Sequence, residues 1–384
     1  MSIEVDDSSE LLPVVAATPA TTATGVEPDD AEPDDAEPIA RARSWTARLS
    51  ESGPLRVALA IVAAFVVFAF LLIAKGADPV EAYRAMWNSV ARDSNSFGDV
   101  LVRMTPYLLA ALAVAVPARA GLFNLGGEGQ ILIGTISALG MANLLDGGLG
   151  RTATLVFMAL ASMVGAALWA SIAAILRQTT GTSETISTLL LNYLAALLLG
   201  WLVYGPWKDP GSAGFPRSRN FTDGETLPIL FGRVHVGLVV AVGAAFVVWA
   251  VLKWTPWGFR LGVLGRNTEA ARRAGFSTRF LAASALMLGG ALAGLAGMLQ
   301  VSGVEGQLHP SMLAGYGFIG VLASWMVRHH PLKAIASSAL LAAIAIGGNG
   351  LKIRAGLSSA SVNILMALLL LAVLGWGTRR KART

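Results

Sequence analysis

An all-α, polytopic membrane protein of about ten transmembrane helices, some of them short or broken, is the fold class that this sequence predicts, and three observations carry the prediction. Hydrophobic residues make up 54% of the 384-residue chain and charged residues only 14%, against about 25% charged in an ordinary soluble domain. The mean hydropathy is +0.62. From Pro54 onward, apolar stretches of about 15–24 residues follow one another, close to the roughly 20 helical residues that span a hydrocarbon core. Soluble enzyme folds, collagen-like chains and wholly disordered chains are excluded by the same composition. The chain has no Cys, which removes disulfides and thiolate metal sites.

Taken in order, residues 1–53 read as a disordered acidic tail. They hold a near-repeat, Glu27-Pro-Asp-Asp-Ala, then Glu32-Pro-Asp-Asp-Ala and Glu37-Pro, with too little apolar mass to offset chain entropy. No basic segment opens the chain as in a secretory signal. Residues 54–378 form the membrane domain, with candidate spans at Leu55–Ala74, Leu101–Pro117, Glu128–Leu145, Ala153–Leu176, Thr185–Tyr204, Val236–Lys253, Thr278–Gln300, Met312–Val327, Leu332–Gly347 and Ser361–Trp376. The third, eighth and ninth are short or interrupted by Gly. Broken helices at membrane depth must be buried in protein or line a cavity, as transport paths require. Residues 379–384 are a short basic tail.

The net charge of +5 hides a split. Residues 1–40 carry 11 of the 24 acidic residues and no Lys or Arg, so the rest of the chain is at +16. Ten spans put both termini on one side. If that side is the cytoplasm, its segments hold 18 Lys and Arg against 11 opposite, six of them in the loop from Lys253 to Arg279. The excess of inside positive charge favours cytoplasmic termini.

Three polar stretches interrupt the apolar pattern. The first, Arg119-Ala-Gly-Leu-Phe-Asn-Leu-Gly-Gly-Glu-Gly-Gln130, joins a Gly-rich break to Phe123, Asn124, Glu128 and Gln130. Glu128 falls in the first turn of the next helix, where the macrodipole favours a negative charge. It reads either as an interfacial helix-start acid or as a gating or coupling group. The second stretch runs from Ser183 to Tyr193. Glu184 opens a helix with Ser183 as its expected N-cap. Thr188 and Asn192, four apart, share one face. They line a solute path or hold helices together by hydrogen bonds. The third stretch is the basic loop around Gly265, Asn267, Glu269, Ala270, Ala271, Arg272, Arg273 and Gly275. Thr268–Arg273 is expected as a short helix with Asn267 as N-cap and Gly275 as the C′ residue. Such a helix docks into a partner's groove or lies on anionic lipid.

Catalytic signatures are absent. There is no Gly-Lys dipeptide and so no phosphate-cradling P-loop. None of the four His has a zinc-type partner at helical spacing, and no basic and aromatic patch suggests nucleic acid.

Together these stretches resemble the inner-membrane permease subunits of bacterial ABC importers for simple sugars and nucleosides, in the superfamily of branched-chain-type permeases, and most of all the nucleoside-type branch. Phe123, Asn124, Gly126, Glu128, Gly129, Gln130 and Gly134 match its "FN-x-G-x-EGQ-x-x-x-G" pattern. Glu184, Ile186, Thr188, Leu191, Asn192 and Tyr193 match "E-x-I-x-T-x-x-L-N-Y". Gly265, Asn267, Ala270, Ala271, Arg272 and Gly275 match "G-x-N-x-x-A-A-R-x-x-G", and Gly290 to Gly297 resembles the glycine- and alanine-rich helix that follows. The outer segment from Gly205 to Gly211, Leu308-His-Pro310 and Gly315-Tyr-Gly-Phe318 are similar as well. Arg266 stands where the family often has Glu. The resemblance covers roughly residues 55–378.

The resemblance implies an ABC importer permease fold in the cytoplasmic (inner) membrane and transport of nucleosides or simple sugars by alternating access. Phe123, Asn124, Glu128, Gln130, Thr188, Asn192 and Tyr193 are then the expected substrate path, and Gly265–Gly275 the contact with the ATPase. It further implies cytoplasmic ABC ATPase subunits, a second permease subunit, homologous or identical, an extracytoplasmic substrate-binding lipoprotein and surrounding lipids as partners. No cofactor is expected on this chain, with ATP on the partner subunits, and no nucleic acid is expected. The competing reading, an ATP-independent secondary transporter, needs a coupling carboxylate deep in the bundle. Glu128 and Glu184 are its candidates.

Overall fold

Each of the ten apolar stretches holds a helix, the eighth only from Tyr316 to Met326. The computed structural model describes residues 53–92, 94–212, 214–312, 315–355 and 359–378. The predicted acidic tail, apart from Gly53, and the basic tail at 379–384 fall outside them. In order, the helices are α1 (Gly53–Ala74), α2 (Pro79–Ala91), α3 (Ser94–Arg119), α4 (Gly127–Leu145), α5 (Arg151–Thr180) and α6 (Glu184–Tyr204), then α7 (Gly237–Trp254), α8 (Pro256–Arg266), α9 (Thr268–Arg273), α10 (Thr278–Gln300), α11 (Tyr316–Met326), α12 (Pro331–Ala355) and α13 (Ser359–Thr378). A π-helical turn, Val301–Glu305, continues α10. Between α6 and α7 a small antiparallel ribbon pairs β1 (Ile229–Phe231) with β2 (Val234–His235). Among the described residues this short ribbon is the one strand pairing in an otherwise helical chain.

Six helices, α3, α5, α6, α7, α10 and α12, have the length and apolarity to cross a bilayer alone. The α1–α2 pair, bent by 120°, makes a seventh if it counts as one span. The bend follows from the sequence between them. Gly76 takes φ +75°, Asp78 caps α2 by accepting from the Val80 N–H at 2.8 Å, and Pro79 pre-sets the first helical turn. Helix α4 starts on Glu128 and Gln130. Helix α11 has 11 residues, about 16 Å and half the thickness of a hydrocarbon core. Length and composition thus support six or seven crossings, and the figure of about ten is not established by them.

Helices α3 and α10 sit at the centre, in contact with each other and with α4. Glycines on α10 set the close approach. A Cβ on Gly289 would fall 2.6 Å from the Ala113 carbonyl oxygen on α3, one on Gly294 2.2 Å from that of Ser162 on α5, and one on Gly297 2.2 Å from that of Ile131 on α4. Small residues let backbones approach where no water drives packing. The ninth stretch, expected to be short or interrupted, is the continuous helix α12. Its Gly348 and Gly350 are packing positions: a Cβ there would fall 2.3 Å from Val362 and 2.4 Å from Ser89.

Candidate functional site: a helix-terminus junction and its basic elbow

The junction begins with a proline. Pro117 lies inside α3 and has no N–H, so the carbonyl of Ala113 loses its helical donor. The chain leaves α3, turns at Gly121 with φ +75° and comes back alongside it. Asn124 Nδ2 then donates to the Ala113 carbonyl at 3.2 Å. The rest of that amide is also used. Nδ2 donates to Gln130 Oε1 at 2.9 Å, while Oδ1 accepts from Gln130 Nε2 at 3.0 Å and from the Gly126 N–H at 3.0 Å. Both amides are buried, as full satisfaction permits.

One stripe of α6 holds the returning segment. Glu184, Thr188 and Asn192 are spaced four apart and lie on one face. Glu184 Oε1 accepts from the Phe123 N–H at 3.3 Å, and Thr188 Oγ1 from the Leu125 N–H at 3.3 Å. Asn192 Oδ1 accepts from the Gly129 N–H at 2.8 Å while its Nδ2 donates to the Leu125 carbonyl at 2.9 Å. Gly126, the N-cap of α4, has no side chain to serve the orphan N–H groups of that helix. Asn192 supplies the cap from the neighbouring helix. Glu184 is itself paired with Arg177. The expected N-cap of α6, Ser183, makes no side-chain capping bond.

Glu128 closes the junction. Its carboxylate accepts from the Gly315 N–H at 2.6 Å and from the Gly317 N–H at 2.7 Å, the start of α11. Two helix N-termini therefore meet at one carboxylate, where both macrodipoles favour a negative charge. The contact is tight enough that a Cβ on Gly317 would fall 2.1 Å from the Glu128 amide nitrogen.

Five of the seven expected path residues, Asn124, Glu128, Gln130, Thr188 and Asn192, are thus brought together, with polar atoms bonded to backbone or to one another. Phe123 and Tyr193 are not part of this knot. Phe123 is half exposed and lies against Trp325, with ring centroids 5.8 Å apart. Tyr193 is 68% exposed on the outer face of α6.

The basic loop folds as an elbow. Thr255 caps α8 by accepting from the Gly258 N–H at 3.1 Å, a helix the sequence did not suggest. Asn267 ends α8 and caps α9, accepting from the Ala270 N–H at 3.0 Å. Gly275 takes φ +76° as the C′ residue, with the Phe276 N–H donating back to the Ala271 carbonyl at 3.1 Å. Of α9, only Ala271 is buried. Glu269 bonds both Arg272 and Arg273 at 3.0 Å. These hydrogen bonds, from Arg272 first and then Arg273, hold its carboxyl below the usual range. At the other end the elbow touches the junction directly. A Cβ on Gly265 would meet the Arg119 carbonyl oxygen at 2.4 Å and the Gly121 nitrogen at 2.9 Å.

A further polar cluster went unread in the sequence. Arg103 of α3 donates to the Tyr316 hydroxyl, with its guanidinium carbon 5.2 Å from that ring centroid. Gln300 Nε2 donates to the same hydroxyl at 3.3 Å and to Glu305 Oε1 at 3.2 Å. His309 Nε2 lies 3.5 Å from Glu305 Oε2. The segment between β1–β2 and α6 straps over this region. Ser218, Phe221 and Leu227 donate backbone N–H groups to Leu308, Gly306 and Ser302 at 2.9, 2.7 and 2.9 Å. The strap is clasped by Arg219, bidentate to Glu225 with both bonds at 2.8 Å. Burial raises the Glu225 carboxyl, but the Arg219 and Thr222 hydrogen bonds and the Arg219 charge outweigh it, and the net shift is downward.

A bundle of apolar helices with two helix N-termini buried against one carboxylate, joined to an exposed basic elbow, fits a membrane permease. Residues 96–374 match the family described as branched-chain amino acid transport system / permease component. The chain belongs to that family and is the permease subunit of an ABC importer. It is 36% identical to a glucose ABC transporter permease protein of Haloferax volcanii over 82% of this chain and 85% of that one. It is 29% identical to a guanosine ABC transporter permease protein of Bacillus subtilis over 82% and 91%. It is 27% identical to a nucleoside ABC transporter permease protein of Lactococcus lactis over 76% and 83%.

Proposed function

We propose that this permease carries nucleosides or simple sugars across the cytoplasmic membrane by alternating access, driven by separate ATPase subunits that engage α8 and α9. The observation that carries the reading is the direct contact of Gly265 with Arg119 and Gly121. A push on α9 reaches the α3–α4 turn without an intervening flexible segment. The Asn192, Asn124 and Glu128 bonds then pass it to α6 and α11. Coupling of this kind needs no chemistry on the chain itself, and ATP and its hydrolysis belong to the partners. The glucose and nucleoside permeases to which the chain is similar support the solute class.

The same reading has the chain crossing the membrane about ten times, with α4 and α11 as partial spans that meet end to end. Both termini, the acidic segment 1–53 and the basic segment 379–384, lie in the cytoplasm beside the ATPase. A second permease completes the translocation path, and an extracytoplasmic lipoprotein delivers solute. The test is reconstitution with the ATPase and lipoprotein in vesicles and uptake of labelled nucleosides and hexoses. Uptake is expected to require ATP; uptake without any ATPase subunit would refute the proposal. Charge reversal at Arg272 and Arg273, whose side chains are 73% and 80% exposed, is expected to abolish co-purification of the ATPase. Undiminished co-purification removes α9 from the contact.

A further inference from the structure

We propose that Arg103, Glu305 and His309 form a binding site for the vicinal hydroxyls of a neutral solute, a ribose or hexose diol, beneath the extracytoplasmic strap. The inference rests on the proposed solute class and adds the site that meets it. Arg103 lies nine residues into α3, about 14 Å from its Ser94 end, within the stretch able to cross a bilayer. A charge at such depth is expensive unless it is paired or has work to do. Among the described residues no carboxylate comes within ion-pair distance of Arg103. One of its five N–H donors reaches the Tyr316 hydroxyl, and the others have no acceptor among the described groups.

The nearest arrangement that could neutralise it is held away. Glu305 is joined to Arg103 only through a chain of neutral groups, the Gln300 amide and the Tyr316 hydroxyl. Opposite charges in a low-dielectric interior pair directly when nothing prevents it. Here Glu305, at the end of the π-helical turn, is taken up by Gln300, whose Nε2 donates to its Oε1 at 3.2 Å. Such turns are frequent at functional sites. Glu305 and His309 keep 26% and 31% of their side-chain surface open, and Arg103 is also partly exposed.

The arrangement offers donors on one side and acceptors on the other. A hydroxyl both donates and accepts, so adjacent hydroxyls of one molecule can accept from Arg103 and donate to Glu305 or His309 together. A neutral solute adds no charge to a region where Arg103, Glu305 and Glu128 all lie within electrostatic reach of Tyr316. An anionic solute would face Glu305, and a cationic one Arg103. Ribonucleosides and simple sugars share the required diol, and the two are separated by the labelled solute used.

The test uses the complete transporter with its ATPase and lipoprotein in vesicles. Uptake of labelled uridine and labelled glucose is measured beside lipoprotein-stimulated ATP hydrolysis. For the solute carried, Glu305→Gln and Arg103→Gln are expected to lower uptake per ATP about tenfold, the effect of losing a hydrogen bond to a charged group, with hydrolysis retained. If either variant fails to assemble, Glu305→Asp, which keeps the charge and shortens the arm, is expected to show the same uncoupling. Unchanged uptake per ATP overturns the site, and so does a parallel fall of uptake and hydrolysis, which would mark a structural role. Uptake of neither solute by the unsubstituted complex overturns the solute class itself, and the site with it.

Discussion

Gly317→Ala tests the junction most directly. The new Cβ would fall 2.1 Å from the Glu128 amide nitrogen and 2.6 Å from the Gly127 carbonyl carbon, both backbone atoms that cannot swing aside. Restoring ordinary contact near 3.4 Å parts the two helix ends by about 1.3 Å, in an interior packed as tightly as a crystal. The bonds from Gly315 and Gly317 to Glu128, now 2.6 and 2.7 Å, then stretch toward 4 Å and cease to be hydrogen bonds. Overpacking costs about 1–3 kcal/mol, and each lost bond to a charged group about 1.5–3 kcal/mol. The gain in helix propensity of Ala over Gly returns at most about 1 kcal/mol. A net loss of about 3 kcal/mol or more is expected, a fall of about 5 °C or more in Tm. The measurement is thermal aggregation of the detergent-purified protein followed by size-exclusion fluorescence. Gly200→Ala is the control, because nothing lies within 4 Å of a Cβ there, and it is expected to leave Tm unchanged or slightly raised. A Gly317→Ala Tm within about 1 °C of the unsubstituted protein would show that the two helix ends do not meet as described.

Asn192→Leu keeps the heavy-atom count and branching but orphans the Gly129 N–H and the Leu125 carbonyl; a loss of about 3 kcal/mol is expected in the same assay, while Tyr193→Leu next to it leaves Tm nearly unchanged. The strap is expected to loosen in acid. The Glu225 carboxyl is held below its ordinary value near 4.3, so the clasp contributes fully above about pH 5 and is lost as pH falls through the lowered value. Hydrogen exchange at residues 218–227 should accelerate at low pH in the unsubstituted protein, and Glu225→Gln should already exchange fast at pH 7. Exchange that is equal in the two proteins at pH 7 removes the clasp from the strap's stability.

Much of the architecture was legible because bilayer thickness acts on composition. Each of the ten apolar stretches holds a helix, and α9 has the cap residues, Asn267 and Gly275, that its sequence announces. The polar stretches were found for the same reason, since each polar residue in an apolar run stands out. Their partners were not legible. Glu184, Thr188 and Asn192 show their common face by spacing, but the N–H groups they meet belong to a segment about 60 residues away that has no periodicity of its own. Arg103 lies inside the apolar run that begins at Leu101, but its partner Tyr316 is more than 200 residues away and no local pattern links the two.

The sequence by itself determined that this chain is a helical membrane permease, and it marked where the helices break. Those facts follow from local rules, since lipid rejects unpaired backbone and charge wherever they occur. Tertiary structure alone decided what the breaks are for. The glycines of α4, α10 and α11 allow backbones to approach within contact distance, and the buried amides and Glu128 find their partners only once those backbones are in place. Which donor meets which acceptor is a property of the packed helices, because residues such as Glu128 and Gly317 become neighbours only through the paths of the chain between them.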